Sequence, residues 1–241
     1  MCASGAFVMC WCVQPLVSKS IQTYRYRYSW IDFDTEVTMD LSAPLTALAR
    51  RTDAAALSVL AAAGEQLTGR QVARLAGEST PANIRTALLR LVDIGLVTSV
   101  ARPDATLYSA NRAHLIWPAV ELALRARDQL IVNIRQMTEK HASYGTTVVL
   151  YGSVARGDAD AQSDVDLLVI QEEHAVNREA YLDHLRADVR TWTGNRVQIF
   201  DAGPREVHRM WEARDPLVES WLREGRHVAG IPLETRLESP S

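Results

Sequence analysis

Two aspartates, Asp164 and Asp166, stand one residue apart at the start of the apolar run "DVDLLVI", residues 164–170. Alternate residues of a strand project from the same face, so both carboxylates point one way. Neighbouring carboxylates repel each other, and at a buried strand mouth they are costly unless something positive sits against them. A hard divalent cation removes that conflict. Mg²⁺ takes one or two carboxylates together with phosphate oxygens, and a seat for phosphate lies just upstream. "VVLYGSVARG" runs from an apolar strand into Gly152-Ser153 and a brief helical segment stopped by Gly157. N–H groups at such a helix start lack partners and attract phosphate. Gly152 has no Cβ to block a close approach, Ser153 adds a hydroxyl, and Arg156 adds a planar cation. The positive partner implied for the aspartates is magnesium carrying a nucleoside triphosphate.

The full stretch "GSVARGDADAQSDVDLLV" resembles the signature of the DNA polymerase β-like nucleotidyltransferase superfamily in its small bacterial form. That pattern is Gly-Ser, a short spacer with Arg-Gly, then Ser-Asp-x-Asp at a strand start. Gly152, Ser153, Arg156, Gly157, Ser163, Asp164 and Asp166 fill it position by position, and the resemblance covers residues 143–201. It implies that Asp164 and Asp166 are catalytic and hold two Mg²⁺ ions. It implies nucleotide binding by Gly152, Ser153, Arg156 and Ser163, and transfer of a nucleoside monophosphate to an acceptor hydroxyl. The competing reading is a tight turn followed by a solvated acidic strand edge. Asp158 and Asp160 read as solvated turn residues.

One position departs from the pattern. Members of the superfamily commonly carry a third carboxylate on the next strand, "RVQIFDAG", where this chain has Gln198. A glutamine cannot act as a base, a contribution worth about 10²–10⁴-fold in rate. Asp201 and Glu206 are candidate substitutes, but Asp201 is an odd offset from 198 and needs a bulge to share its face.

These groups require an α+β frame. The strand "TTVVLY" delivers the turn, a helix follows in "NREAYLDHLRADVRTWTG", and "RVQIFDAG" is the next strand. "REVHRMWEARDPLVESWLREG" reads as one or two amphipathic helices broken near Asp215-Pro216. His208 and His227 have no metal-ligand partners at a convincing spacing. "IPLETRLESPS" reads as a loose tail.

The N-terminal half has helical periodicity. "DAAALSVLAAAG", "TGRQVARLAG" and "STPANIRTALLRLVDIG" are three helices, with Thr68 and Ser79 or Thr80 as N-caps and Pro81 in a first turn. "LVTSVARPDATLYSAN" reads as two strands about a turn at Pro103-Asp104. Together they resemble a winged helix-turn-helix over residues 45–116. Residues 50–117 hold eight arginines against five acids, a local excess of positive charge in a chain whose formal net charge is −3. Asn83, Arg85 and Thr86 lie off the apolar face of the third helix and are the candidate DNA contacts; a helical adaptor with solvated surface residues is the even alternative. "WPAVELALRARDQLIVNIRQMTEKH" reads as one long linking helix.

At 241 residues, 47% hydrophobic and 23% charged, the chain has the composition of a globular protein. Its three cysteines, Cys2, Cys10 and Cys12, exclude a disulfide scaffold and fit a cytoplasmic location. The opening residues suit neither a signal peptide nor a membrane span. The expected organisation is a disordered or non-native extension at 1–38, a winged helix at 45–116, a linker helix at 117–142, a nucleotidyltransferase α/β domain with a mixed sheet at 143–230, and a tail at 231–241. Expected partners are a nucleoside triphosphate, DNA through the winged helix, and an acceptor that is a protein, an RNA or a small molecule, with no membrane. The rival functions are a regulator that senses nucleotide through a degenerate domain, and an adaptor that forms homodimers.

Overall fold

The computed structural model describes residues 38–77, 80–172 and 174–238. The expected extension lies, but for Thr38, outside them. After a 3₁₀ turn at Pro44–Ala47, three helices follow: α1 (Arg51–Ala62), α2 (Gly69–Leu75) and α3 (Pro81–Asp93). A two-residue strand β1 (Leu67–Thr68) precedes α2, and the hairpin β2 (Val97–Ala101) and β3 (Thr106–Ala110) follows α3. Local chemistry sets these boundaries. Thr68 and Gln71 form a reciprocal capping box at α2. At α3 the Thr80 hydroxyl accepts from Asn83 N–H at 3.3 Å, with Pro81 in the first turn. Gly95, at φ +79°, turns the chain out of α3. The three strands form an antiparallel sheet in the order β1-β3-β2.

Leu57, Leu60, Val72, Ile84, Leu88 and Leu91 fill the core of this region, closed from outside by Trp117 and Val120. The latter two belong to α4 (Trp117–Leu124), which is separate from α5 (Ala126–His141). The single linking helix expected from the sequence is therefore two. They break at Arg125, where no glycine or proline stands.

The second sheet is built from β4 (Thr147–Tyr151), β5 (Val165–Ile170), β6 (Val197–Ala202) and β7 (Arg226–Ala229), in the order β6-β5-β4-β7. β4 pairs antiparallel with β5 and β7, and β5 pairs parallel with β6, so the sheet is mixed. The short helix α6 (Gly152–Arg156) follows β4, and α7 (Arg178–Thr193) crosses over from β5 to β6. Val165, Leu167 and Val169 pack on one face with Leu130 and Ile134 of α5 and Leu185 and Val189 of α7. Leu168 and Ile170 point to the other face. There they meet α8 (Pro204–Glu212), α9 (Pro216–Glu224) and α10 (Leu233–Glu238) through Val207, Trp221, Leu233 and Leu237.

The C-terminal residues are more than the loose tail expected. Leu233 and Leu237 are 4% and 3% exposed. Arg236, half-desolvated so that burial lowers its pKa, bonds the Gly145 carbonyl and donates to Thr147 Oγ1 at 3.2 Å. His208 Nδ1 lies 3.1 Å from the Leu237 carbonyl. With β7, this segment completes the sheet and covers its second face. No helix among the described residues is long and apolar enough to cross a membrane.

Candidate active site

Strand register brings the expected residues to one rim of the second sheet. Tyr151, the last residue of β4, is the Cα partner of Asp166, which in turn is the partner of Gln198 on β6. Asp164 precedes β5, and its carboxylate reaches the Gln198 side chain at this same rim. The expected common face of the two aspartates is the face that carries Leu168 and Ile170.

Gly152 has φ +72°, in the left-handed region, and a Cβ built there would overlap Asp166 Oδ2. The turn and the carboxylate thus occupy touching positions, and only glycine fits both demands. Among the described residues Asp166 makes no hydrogen bond or ion pair, and neither does the Ser153 hydroxyl. Burial first, and the charge of Asp164 second, push the Asp166 pKa up. A half-buried carboxylate with no donor, beside a second carboxylate and an unengaged hydroxyl, is a hard-oxygen donor set that fits a divalent cation. Among the described residues no group of three or more His, Cys, Asp or Glu is gathered.

Asp164 differs from its neighbour. Arg196 Nε lies 3.2 Å from Oδ1, and Gln198 Nε2 donates to Oδ2 at 2.5 Å. The departure at position 198 is thus a structural bond to the first aspartate. Asp201 is not a substitute carboxylate. β5 and β6 keep unbroken register, with Asp201 opposite Val169 and about 10 Å along the sheet from Gln198. There it pairs with Arg178 at 2.9 Å. Glu206 lies in the first turn of α8, which follows the end of β6 opposite the rim.

Arg156 is already paired at the edge of the loop. Its guanidinium is bound to Asp158 at 3.1 Å and Glu224 at 2.9 Å, and these partners hold its pKa up and that of Glu224 down. Ser163 uses its hydroxyl inside the loop, donating to Asp160 Oδ1 and accepting from Asp160 N–H, both at 2.9 Å. These bonds make Asp160 a loop cap rather than a merely solvated turn residue, and the Ser163 hydroxyl leads the causes that lower its pKa.

Further residues at the rim lie outside the expected set. Asn195, 1% exposed, donates to the carbonyls of Met39 at 3.1 Å and Ser163 at 2.9 Å and accepts from Met39 N–H at 3.1 Å. Tyr151, its phenol pushed up by burial and then by Asp166, stands edge-on to Trp221 with ring centres 6.0 Å apart. Tyr151 was discoverable as the residue before the Gly-Ser turn; Glu224, 68 positions from Arg156, was not.

Residues 131–200 match the family model of the nucleotidyltransferase domain. The match runs from α5 through β4, α6, β5 and α7 into β6, so the whole rim from Gly152 to Gln198 lies inside it. It begins earlier, within α5, than the resemblance at 143–201. At that coarse level it supports nucleotidyl transfer and a nucleotide substrate for this part of the chain. No curated protein matches the sequence.

In the N-terminal region Asn83, Arg85 and Thr86 are all exposed on α3, with Thr86 Oγ1 donating back to the Ala82 carbonyl at 3.0 Å. Arg85 and Arg70 line a groove of about 650 Å³ between the N-terminal ends of α2 and α3 and the β2–β3 hairpin, floored by Tyr108.

Proposed function

We propose that the rim is the active site of a Mg²⁺-dependent nucleotidyltransferase that moves a nucleoside monophosphate from a nucleoside triphosphate to an acceptor hydroxyl. The observation that carries this is the contact of Gly152 with Asp166. It sets the Gly-Ser turn against a carboxylate that has no donor among the described residues. In this reading Asp164 and Asp166 hold the metal, with two ions when the site is full. The bound metal supplies Lewis-acid neutralisation of the triphosphate charge and lowers the pKa of a coordinated hydroxyl. Ser153 Oγ and the N–H groups of the turn bind phosphate oxygens. Arg156, fixed by Asp158 and Glu224, shapes the loop edge and presents its outer face to the polyphosphate. Ser163 keeps the loop closed, so that Asp164 enters the site from a fixed direction.

We further propose that α1–α3 with the β2–β3 hairpin act as a winged helix-turn-helix. DNA would lie against Asn83, Arg85 and Thr86, and phosphate would meet the arginines of the adjoining groove. The acceptor is a protein side chain, an RNA end or a small molecule.

A second reading is favoured by one observation. Gln198 donates to Asp164 where a third carboxylate would act as base. A domain built that way suits a regulator that binds nucleotide without turning it over. Purified protein incubated with Mg²⁺, each α-labelled nucleoside triphosphate and cell lysate decides between them. Label transfer that vanishes in Asp164→Ala supports the transferase. Metal-dependent nucleotide binding without transfer overturns it in favour of the sensor.

A further inference from the structure

The two aspartates present their charge to solvent unequally. Asp166 accepts nothing from the protein among the described residues, whereas both oxygens of Asp164 are engaged, one by Arg196 and one by Gln198. Both donors come from the entry to β6. The Arg196 carbonyl accepts from Val165 N–H at 2.8 Å, so its backbone is pinned beside β5 while its side chain reaches over Asp164. That side chain is 63% exposed, whereas Asp164 is 17% exposed.

A divalent cation competes for a carboxylate with the donors already bound there, and it is repelled by a fixed positive charge on the same carboxylate. A bare cation arriving at Asp164 meets the guanidinium's charge at the same carboxylate and weakens that ion pair without replacing it. A cation arriving on a triphosphate brings new anionic oxygens, and guanidinium pairs well with phosphate. An exposed ion pair is weak enough to be exchanged in this way.

We propose that Arg196 is the resident counter-cation of Asp164 and selects for a divalent cation that arrives complexed to a triphosphate over the bare ion. Asp166 is then the first carboxylate to bind, and Asp164 joins when Arg196 transfers to the polyphosphate. This rests on the reading of the rim as a metal–nucleotide site.

The test is calorimetric and needs no turnover. MnCl₂ alone, and then MnCl₂ with inorganic tripolyphosphate, are titrated into the wild-type chain, Arg196→Ala and Arg196→Gln, the last keeping a donor while removing the charge. The expected result is bare Mn²⁺ binding up to about fivefold tighter in both variants, the size of one exposed ion pair. The Mn²⁺–tripolyphosphate complex binds the variants no more tightly than the wild type, or less so. Wild-type binding of the complex with no gain for bare Mn²⁺ in either variant overturns the role of Arg196 alone. If the wild type binds neither form, the reading of the rim falls and this inference falls with it.

Discussion

Asp166 fills the space that a side chain at Gly152 would need. The turn at the end of β4 and the carboxylate at the start of β5 are thus one packing unit, although fourteen positions separate them in sequence. Gly152→Ala would place a non-glycine residue at φ +72°, which costs about 1–3 kcal/mol, and would also drive Asp166 from its place. The expected outcome is a lower denaturation midpoint together with loss of metal–nucleotide binding. Chemical denaturation and calorimetry on one sample check both.

Asp166→Asn separates stability from function. The folded-state pKa of this carboxylate is raised, by burial and then by Asp164. Between the unfolded value near 3.8 and the raised folded value the native state therefore binds more protons than the unfolded state, and stability falls as pH rises through that window. Removing the charge relieves that penalty at neutral pH. In EDTA the variant should melt higher than the wild type at neutral pH, and near pH 3 the gain should vanish. A neutral-pH melting point at or below the wild type contradicts the assignment.

Gln198→Glu replaces the donor to Asp164 with a third carboxylate of the same length. Without metal it sets like charges together at the β5–β6 entry and should cost ~1 kcal/mol. Saturating Mn²⁺ should restore or exceed wild-type stability. Thermal scans with and without the ion read both signs.

Asn195→Ala removes the bonds that tie Met39 and the Ser163 loop to the β6 entry. Leaving such buried groups unpaired costs about 1–3 kcal/mol. A chain starting at Met39 keeps these contacts and should fold. One starting at Ser42 also loses Leu41, 2% exposed, and should yield far less folded protein. Circular dichroism of the two truncations distinguishes them.

Arg70→Ala and Arg85→Ala test the DNA proposal. Each removes a cation from the groove beside the hairpin, and each should reduce the salt slope of DNA binding by about 1. A wild-type chain whose DNA affinity does not respond to salt overturns that proposal.

What the sequence made legible was local. Period-two spacing put Asp164 and Asp166 on one face, and the same parity argument removed Asp201 once β5 and β6 proved unbulged. Thr68 and Thr80 announced their helices because caps act within one turn. The break at Arg125 carries no glycine or proline to mark it, and β7 is four residues without clear alternation. The Arg196 and Gln198 contacts to Asp164 depend on how β6 lies beside β5. That register is set by the crossover through α7, beyond the reach of any spacing argument. The pairing of Arg156 with Glu224 is longer-ranged still.

The single amide of Asn195 joins Met39 to the loop that launches Asp164, and it sits one residue before Arg196. Mechanically it is a rivet. Tension applied to the chain at Met39 would load this amide before it loads the strands, and tearing it would loosen the entries of β5 and β6 together. In a pulling experiment this rim should therefore yield at lower force than the sheet that carries it.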